Sequence, residues 1–549
     1  MPSLELVGGS LRVSYPASYQ AQRPRPGAAG RPGATGAAEG VTAALLHAFA
    51  GQGLELVAPV DLAPASPAAP PGSRPRQPSR PGKVRIALDL PPDTDAVLLL
   101  EQDGFFSWQL PTGHEPAPAG SPPPGAGSPR ASAPPGGRAA APTGDGAAAP
   151  AGGGPAGQTV LFEVDVRPYA PARPNASARP VLGPFGDYVI GQVRTYVLKF
   201  AGRFIPGALM SLLERDLHPG LVLMTGDDVR HWPLVDNLTQ VPLPTDRPAK
   251  ILLFVPGTFS TTVGSFGVLT ATAEGQTFLA AAAGSYDAIL GFDHRTLSRD
   301  PLENALDLHD RLAARDLTYP PAIDVVSYSR GGLVARSLIE YVLPSSALGA
   351  DLGTVAFVGA TNAGTALAEP DNWNAFIDLY TNLAAATVRS TGAAPAALIL
   401  DGLVAGLGAF VKFLVLAAIT DRGIPGLAAM EPDGPFITDI NGTQPGQPVA
   451  GTPWYVVSSD FEVTLIDDTQ QPPVLPPELV AKLADGLADQ LMGVQNDLIV
   501  NTASMGAIDL PSGGGFVKDS LSFGTNGVVH HLNYFSQPKV CDALRTWLT

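Results

Sequence analysis

The chain has little of what several large protein classes depend on. Its 549 residues include a single cysteine, Cys541, which excludes an intrachain disulfide framework and is expected to be a small core residue of a C-terminal helix. The formal net charge is −16, and no basic stripe is present to neutralise phosphates, which argues against nucleic acid as a partner. His, Cys and Asp do not cluster at metal-ligand spacing, so we expect no metal and no other cofactor.

Targeting and membrane signals are also missing. The N-terminal residues 1–7 lack the basic and apolar regions of a signal peptide, so a cytoplasmic protein is expected. The longest apolar run, 402–419, is interrupted by Lys412 and diluted by glycine and alanine. A buried or surface-covering helix is therefore expected there instead of a membrane span.

Three segments rich in Pro, Gly and Ala separate shorter apolar stretches in the N-terminal third. These segments, at about 22–39, 63–83 and 111–157, cannot bury enough apolar surface to offset the entropy of ordering and are predicted to be disordered. Strand-like runs on both sides of Asp103-Gly104 predict a hairpin. No catalytic motif lies in this region, which favours a partner-binding or structural module.

The composition predicts three parts along the chain. Residues 1–170 are expected to form a small β-rich domain that contains the disordered insertions, and 171–249 to connect this domain to the C-terminal one. From residue 250 to 549, strand-like and helix-like segments alternate, which is typical of an α/β domain with a mostly parallel sheet.

Ser329 lies where an apolar strand-like segment turns into a helix-like one. Residues 325–334 read Val-Val-Ser-Tyr-Ser-Arg-Gly-Gly-Leu-Val, with small residues two positions before and after the serine. This pattern is typical of a nucleophile elbow, in which a tight turn raises the serine above a sheet. A turn that binds phosphate through backbone N–H groups is the alternative, but the Gly-Lys-Ser/Thr run of a P-loop is missing.

A serine nucleophile requires an oxyanion hole. The apolar strand 250–255 ends at Pro256-Gly257, and the loop after it would bring the backbone N–H of Thr258 or Phe259 beside the serine. Together with the N–H of Arg330, such a donor would stabilise the negative charge of a tetrahedral intermediate. A plain strand-to-loop turn is the structural alternative.

A base and an acid must come after the serine in the chain. His531, just before the last helix, is the preferred base because Tyr534 and Phe535 would anchor the helix behind it; His530 is the alternative. Asp497 is the preferred acid and Asp460, after the strand 454–459, is the alternative. The acid would hold the imidazole tautomer and stabilise the imidazolium.

In this order, the motifs resemble those of the α/β-hydrolase superfamily, in particular bacterial lipases and related esterases, over about residues 250–549. The segments 355–365, 425–441 and 496–500 are similar to the Gly-Thr loop after the elbow, the return from the lid and the acid loop of those enzymes. The resemblance implies their fold and favours Asp497. The chain departs from it at Pro256, where His is usual, and at Ser327, where Gly is usual.

Residues 367–423 occupy the place of the lid. Phe376, Leu379, Tyr380 and Leu383 form one apolar stripe, and 398–419 is a second, more apolar helix. Exposed apolar faces on these helices would suit acyl chains and peripheral contact with lipid. Helices that simply pack on the sheet are the alternative.

These expectations combine into a serine hydrolase that cleaves carboxylic esters, with a small-molecule or lipid ester as its substrate. Acyl transfer to an alcohol or thiol would use the same residues, so the sequence leaves it open. A non-catalytic scaffold is the alternative from another class, and the presence of Ser329, Asp497 and His531 argues against it.

Overall fold

The computed structural model describes most of the chain in ranges separated by gaps. These ranges are 1–24, 35–65, 82–102, 105–116, 157–167, 189–190, 193–202, 214, 217–226, 228–391, 393–416, 423–442, 452–462, 492, 494–508 and 516–549. Most of the three segments predicted to be disordered, and the predicted hairpin tip 103–104, lie outside the described residues.

Two β-sheets form the N-terminal part. The first has the order β1-β2-β5-β9-β10, with β8 also beside β9, and consists of β1 (Ser3–Leu6), β2 (Leu11–Ser14), β5 (Gly82–Leu90), β8 (Gly113–Pro116), β9 (Gln158–Arg167) and β10 (Val189–Ile190). The second has the order β3-β4-β11-β6-β7 and consists of β3 (Tyr19–Gln22), β4 (Glu55–Pro64), β6 (Thr94–Gln102), β7 (Phe105–Gln109) and β11 (Val193–Ala201).

The third sheet is mostly parallel, as the sequence predicted. Its order is β13-β12-β15-β14-β16-β17-β18-β19, and its strands are β12 (Gly220–Leu223), β13 (Leu234–Val235), β14 (Lys250–Val255), β15 (Ala288–Asp293), β16 (Ala322–Tyr328), β17 (Asp351–Val358), β18 (Trp454–Phe461) and β19 (Val517–Asn526). The pairs from β15 to β19 are parallel, whereas β12 pairs antiparallel with β15 and β13.

Helices connect these strands and cover the third sheet. They are α1 (Thr35–Gly51), α2 (Thr262–Phe266), α3 (Ala273–Ser285), α4 (Pro301–Ala313), α5 (Gly331–Arg336), α6 (Trp373–Thr391), α7 (Ala393–Leu416), α8 (Pro425–Ala428), α9 (Pro435–Ile440), α10 (Thr502–Met505) and α11 (Pro538–Leu548). Cys541 is buried in α11, as expected. Among the described helices, none is both long and apolar enough to cross a membrane.

The second sheet is buried on both faces. Alternate β6 residues Ala96, Leu98 and Leu100 face a core shared with the first sheet, whereas Val97 and Leu99 belong to a core shared with α1, α6 and α7. Burial on both faces explains why β6 is an uninterrupted apolar run instead of alternating with polar residues. The N-terminal part is thus a β-sandwich whose outer face is covered by helices.

The strand pairing differs from the predicted division of the chain. β11 lies within the predicted connecting segment 171–249, yet it pairs with β4 and β6 at the centre of the second sheet. β12 and β13 also precede residue 250, yet they belong to the third sheet. Composition could not reveal this, because β11 comes after a long Pro-rich stretch in sequence and joins its sheet only through long-range pairing.

The edges of the segments predicted to be disordered also differ from the expectation. α1 begins at Thr35, inside the predicted segment 22–39. β8 lies within the predicted segment 111–157 and pairs antiparallel with β9. Backbone hydrogen bonds to a neighbouring strand offset the ordering entropy that the local composition of β8 cannot offset by burial.

Candidate active site

Ser329 occupies a tight turn between β16 and α5. Its φ of 54° lies in the left-handed region, which a residue with a side chain occupies at a cost in strain. The backbone holds this conformation: the Ser329 N–H donates to the Val358 carbonyl at 3.1 Å, and the Ser329 carbonyl accepts from Gly332 at 3.0 Å. The serine is 2% exposed.

Two glycines allow the turn to form beside the end of β14. A β-carbon on Gly331 would lie 2.3 Å from the Val255 carbonyl oxygen, and one on Gly257 would lie 2.6 Å from the Ser329 β-carbon. Neither position accepts a side chain unless the backbone moves. Glycine is therefore required at position 331, two residues after the serine, because two chain segments approach each other closely there. This close approach is the steric reason for the small residue in the sequence pattern.

A chain of hydrogen bonds connects Ser329 to His531 and Asp497. The His531 Nε2 atom lies 2.9 Å from the Ser329 Oγ, and the His531 Nδ1 lies 2.8 Å from an Asp497 carboxylate oxygen. With the proton on Nδ1, the imidazole donates to the carboxylate and accepts from the serine hydroxyl. All three side chains are buried, so water does not compete for these bonds.

The Asp497 carboxylate receives further hydrogen bonds within its loop. One oxygen accepts from the backbone N–H of Val500 at 2.8 Å and of Ile499 at 3.2 Å, and the other accepts from the Tyr534 hydroxyl at 2.9 Å. The His531 N–H donates to the Asp497 carbonyl at 3.0 Å. These bonds fix the orientation of the carboxylate relative to His531.

Tyr534 was expected to anchor the last helix, but its hydroxyl contacts the site directly. It lies three residues after His531 in a 3-10 helix, His531–Ser536, where residues i and i+3 lie on the same side. Burial raises the pKa of Tyr534 above its ordinary value, so the phenol keeps its proton and remains a donor. The spacing His-x-x-Tyr was the available sequence signal.

The two alternative residues have other partners. The His530 side chain caps the 3-10 helix by accepting from the Leu532 N–H, and burial lowers the pKa of His530 to about 4. The Asp460 carboxylate accepts from the Thr525 hydroxyl at 2.6 Å and from the Asn496 N–H at 3.2 Å. Asp460 thus holds the ends of neighbouring segments together at the edge of the third sheet.

The loop after β14 lies against the serine, as the close approach of Gly257 requires. Within this loop, the Phe259 N–H donates to the Thr296 hydroxyl oxygen at 3.2 Å, and Phe259 has a φ of 56°. Glu214 in turn accepts from the Thr296 hydroxyl at 2.9 Å. No sequence pattern signalled Thr296 or Glu214, because they support the loop from distant parts of the chain.

Helices α6 and α7 cover this loop. The Phe259 ring lies 5.4 Å from that of Phe376, 5.3 Å from that of Tyr380 and 5.6 Å from that of Phe410, between ring centroids. A β-carbon on Gly406 would lie 2.9 Å from the Phe259 Cα, so α7 packs directly on the loop backbone. The apolar stripe predicted on α6 is buried instead of exposed.

Arg330 comes directly after the serine, and its side chain is fully buried. Its guanidinium donates to the carbonyls of Arg299 at 2.5 Å and Gly426 at 3.3 Å, and burial lowers its pKa to about 10. The side chain therefore anchors two surrounding loops, while the backbone N–H remains at the helix start beside Ser329. In the described part of the chain, no three His, Cys, Asp or Glu residues are grouped to hold a metal ion.

A comparison with models of protein families finds one family that matches most of the chain. A family model described as "Domain of unknown function (DUF7379)" matches residues 219–549, which is more than half of the chain. The chain belongs to the DUF7379 family. The DUF7379 region contains the whole third sheet, the two covering helices and the residues grouped around Ser329. A second model, "Domain of unknown function (DUF7362)", matches residues 8–128.

Solved structures similar to this DUF7379 protein include lipase 1 from Pelosinus fermentans, with 13% identity, a TM-score of 0.36 and coverage of 55% of this chain and 98% of that one. EstA from Clostridium botulinum has 12% identity and a TM-score of 0.35, with coverage of 62% and 96%. A comparison with curated proteins finds no match. With TM-scores below 0.5, these structural similarities are too weak to identify the activity.

Proposed function

We propose that this DUF7379 protein hydrolyses carboxylic esters through a serine nucleophile. The observation that carries the proposal is the hydrogen-bonded chain from Ser329 through His531 to Asp497, with the serine held in a strained turn between a strand and a helix. A nucleophile, a base and an orienting carboxylate in this arrangement suit acyl transfer to the serine.

In the first step, the Ser329 Oγ attacks the carbonyl carbon of the ester while His531 Nε2 takes the hydroxyl proton. Asp497 holds the imidazole in the tautomer that can accept this proton and stabilises the imidazolium that results. When the tetrahedral intermediate collapses, the imidazolium gives the proton to the leaving alkoxide. An alcohol departs, and the acyl group remains on Ser329.

The negative charge of the intermediate requires backbone donors. The sequence left Thr258 and Phe259 open for one of them, and the N–H of Phe259 is occupied by Thr296. This favours the N–H of Thr258 together with that of Arg330, the residue after the serine. The Thr296–Glu214 contact would then keep the loop in the conformation that presents Thr258.

In the second step, His531 removes a proton from water as the water oxygen attacks the acyl carbon. The second intermediate collapses, the carboxylic acid departs, and the proton returns from His531 to the Ser329 oxygen. The same donors stabilise both intermediates.

The surroundings of Ser329 favour an ester with an apolar acyl group. The Phe259 ring, in the loop beside the serine, packs against the rings of Phe376 and Phe410, and an acyl chain would replace these contacts. Because Ser329 is only 2% exposed, part of this cover must move before an ester reaches it, which is the role expected of a lid.

A series of p-nitrophenyl esters tests the proposal. We expect the intact protein to release p-nitrophenol, with kcat/KM rising from acetate to longer acyl chains, and Ser329→Ala to abolish release. Ser337→Ala is a matched control, since the Ser337 hydroxyl donates to the Leu333 carbonyl at 2.7 Å and not to a residue of the proposed site. Equal turnover by the intact protein and Ser329→Ala would contradict the proposal.

A further inference from the structure

The loop after β15, residues 294–300, contacts both segments that would supply the oxyanion donors. On one side, the Thr296 hydroxyl oxygen accepts from the Phe259 N–H in the loop after β14 at 3.2 Å. On the other side, the Arg299 carbonyl accepts from the Arg330 guanidinium at 2.5 Å. Because residues 294–300 link these two segments, we call them the bracket loop.

Gly426 completes the link between the bracket loop and Arg330. Its N–H donates to the Leu297 carbonyl at 2.8 Å, and its carbonyl accepts from the Arg330 Nε at 3.3 Å. A β-carbon on Gly426 would lie 2.0 Å from the Thr296 carbonyl oxygen, so a side chain does not fit there. The bracket loop and the start of α8 therefore hold the residue after the serine through two backbone carbonyls.

Glu214 organises the bracket loop from a distant part of the chain. One carboxylate oxygen accepts from the N–H groups of Thr296 and Leu297 and from the Thr296 hydroxyl, and the other accepts from the Ser298 N–H at 3.0 Å and hydroxyl at 2.8 Å. Three consecutive N–H groups form the kind of concavity that binds a carboxylate. Five hydrogen bonds to one side chain thus fix the backbone of the loop.

Glu214 also sets the direction of the Thr296 hydroxyl. The hydroxyl donates its proton to the Glu214 carboxylate at 2.9 Å, so a lone pair of the same oxygen is left to accept from the Phe259 N–H. With its N–H held in this way, Phe259 keeps its left-handed φ of 56°, a conformation that the surrounding structure must enforce.

We propose that Glu214 and Thr296 are positioning residues for the oxyanion site. Glu214 directs the Thr296 hydroxyl, the hydroxyl holds the Phe259 N–H, and the loop after β14 then presents the N–H of Thr258 beside the serine. The bracket loop connects the same carboxylate to the side chain of Arg330, whose backbone N–H is the second proposed donor. Neither positioning residue touches the ester; both act by fixing the separation of the two donors. This inference rests on the proposed hydrolase function.

The first test removes the Thr296 hydroxyl and keeps the shape of the side chain. Thr296→Val is expected to lower kcat about 10- to 100-fold with KM changed less than about twofold, because a displaced donor stabilises the intermediate less and leaves ester binding intact. Thr296→Ser retains the hydroxyl and should keep kcat within about threefold of the intact protein. Equal losses in both variants, or no loss in Thr296→Val, would contradict the role of the hydroxyl.

Ser298→Ala is the matched control on the same carboxylate. The Ser298 hydroxyl bonds Glu214 at 2.8 Å, much as that of Thr296 does at 2.9 Å, but the Phe259 N–H donates to Thr296 and not to Ser298. We expect Ser298→Ala to lower the midpoint of thermal unfolding and to keep kcat within about twofold. A loss of kcat equal to that of Thr296→Val would mean that the general stability of the loop, and not the Phe259 contact, controls turnover.

A trifluoromethyl ketone with the acyl chain of the best ester probes the oxyanion site without turnover. The Ser329 Oγ adds to the ketone carbon, the hydroxyl proton passes to His531, and the former ketone oxygen takes the negative charge that the donors stabilise. We expect the inhibition constant to rise in Thr296→Val by the factor by which kcat/KM falls. An unchanged inhibition constant together with a lower kcat/KM would contradict a role at the oxyanion site.

Glu214→Gln tests whether the carboxylate acts through Thr296. It is expected to lower kcat at least as much as Thr296→Val, because an amide nitrogen in place of one oxygen cannot accept from the N–H groups of the bracket loop. The double variant should then lose no more activity than Glu214→Gln alone. Independent, multiplicative losses would contradict the pathway from Glu214 through the Thr296 hydroxyl.

The outcomes separate this inference from the proposed function. If a fluorophosphonate labels the intact protein and not Ser329→Ala, but Thr296→Val turns over esters at the rate of the intact protein, the positioning role is wrong and the hydrolase remains. If the intact protein is not labelled and does not turn over esters, the proposed function is wrong and the roles of Thr296 and Glu214 fall with it.

Discussion

Gly257 lies so close to Ser329 that a β-carbon on the glycine would stand 2.6 Å from that of the serine and 3.1 Å from its Oγ. The backbone of the loop after β14 therefore contacts the side chain in the turn after β16, and no space remains between them for a methyl group. This contact brings the proposed oxyanion donor beside the proposed nucleophile. It also makes a single methyl group a probe of the site.

Gly257→Ala is expected to lower ester turnover by at least about 100-fold, because the loop or the serine must shift and a displacement of about 1 Å costs that much. Gly284→Ala in α3 is the matched control, since nothing lies within 4 Å of its β-carbon. The control should keep full turnover and gain about 0.5–1 kcal/mol of stability. Steady-state kinetics and thermal unfolding of both variants provide the comparison. Full activity in Gly257→Ala would show that the loop does not constrain the serine.

The acid can be identified by a pair of substitutions that remove charge and keep shape. Asp497→Asn is expected to lower kcat on the order of 10⁴-fold, because the amide favours the wrong tautomer of His531. Asp460→Asn should leave kcat within about twofold and lower the free energy of unfolding by about 1–3 kcal/mol, since its partners Thr525 and Asn496 lose a charged acceptor. A loss of turnover confined to Asp460→Asn would reverse the assignment.

His530 gives a prediction about stability and pH. Burial lowers its pKa to about 4 in the folded protein, below the ordinary value of 6.5, with Asp497 acting in the opposite direction and His531 adding to the decrease. Between these two pH values the unfolded chain binds the proton and the folded protein does not. The stabilisation is therefore present above pH 6.5 and decreases as the pH falls towards 4, by about 3 kcal/mol in all.

Denaturant unfolding of the intact protein and His530→Asn across this pH range measures the effect. Asparagine keeps a capping side chain without a titrating ring. The variant should show a slope smaller by up to one proton between pH 6.5 and 4, while the part due to other groups, including buried His294 with a pKa lowered to about 3, remains. Identical slopes would mean that His530 does not titrate on unfolding.

The sequence was most informative about the structure where a local pattern has a steric cause. The order of strands in a parallel sheet predicts small residues around Ser329, a histidine just before the last helix and an acidic residue between them. The structure brings Ser329, His531 and Asp497 into contact. The mostly parallel sheet and the β-rich N-terminal part were predicted for a similar reason, because their periodicity is local.

Features that depend on long-range packing could not be predicted from the sequence. Tyr380 was recognised as one member of an apolar stripe, but its contact with Phe259 depends on how α6 packs between β7 and the third sheet. The choice between Thr258 and Phe259 depends on Thr296, which a separate loop supplies. β11 and β12 were assigned to a connecting segment because their partners lie far away in the chain.

The most direct test of Ser329 as the nucleophile is the mass of its peptide after reaction with a fluorophosphonate. We predict one stoichiometric adduct on Ser329 in the intact protein and in Ser337→Ala, and no adduct in Ser329→Ala or, on the same time scale, in His531→Ala. An unmodified Ser329 in the folded, intact protein, or an adduct on a different serine, would contradict the claim that Ser329 is a nucleophile activated by His531.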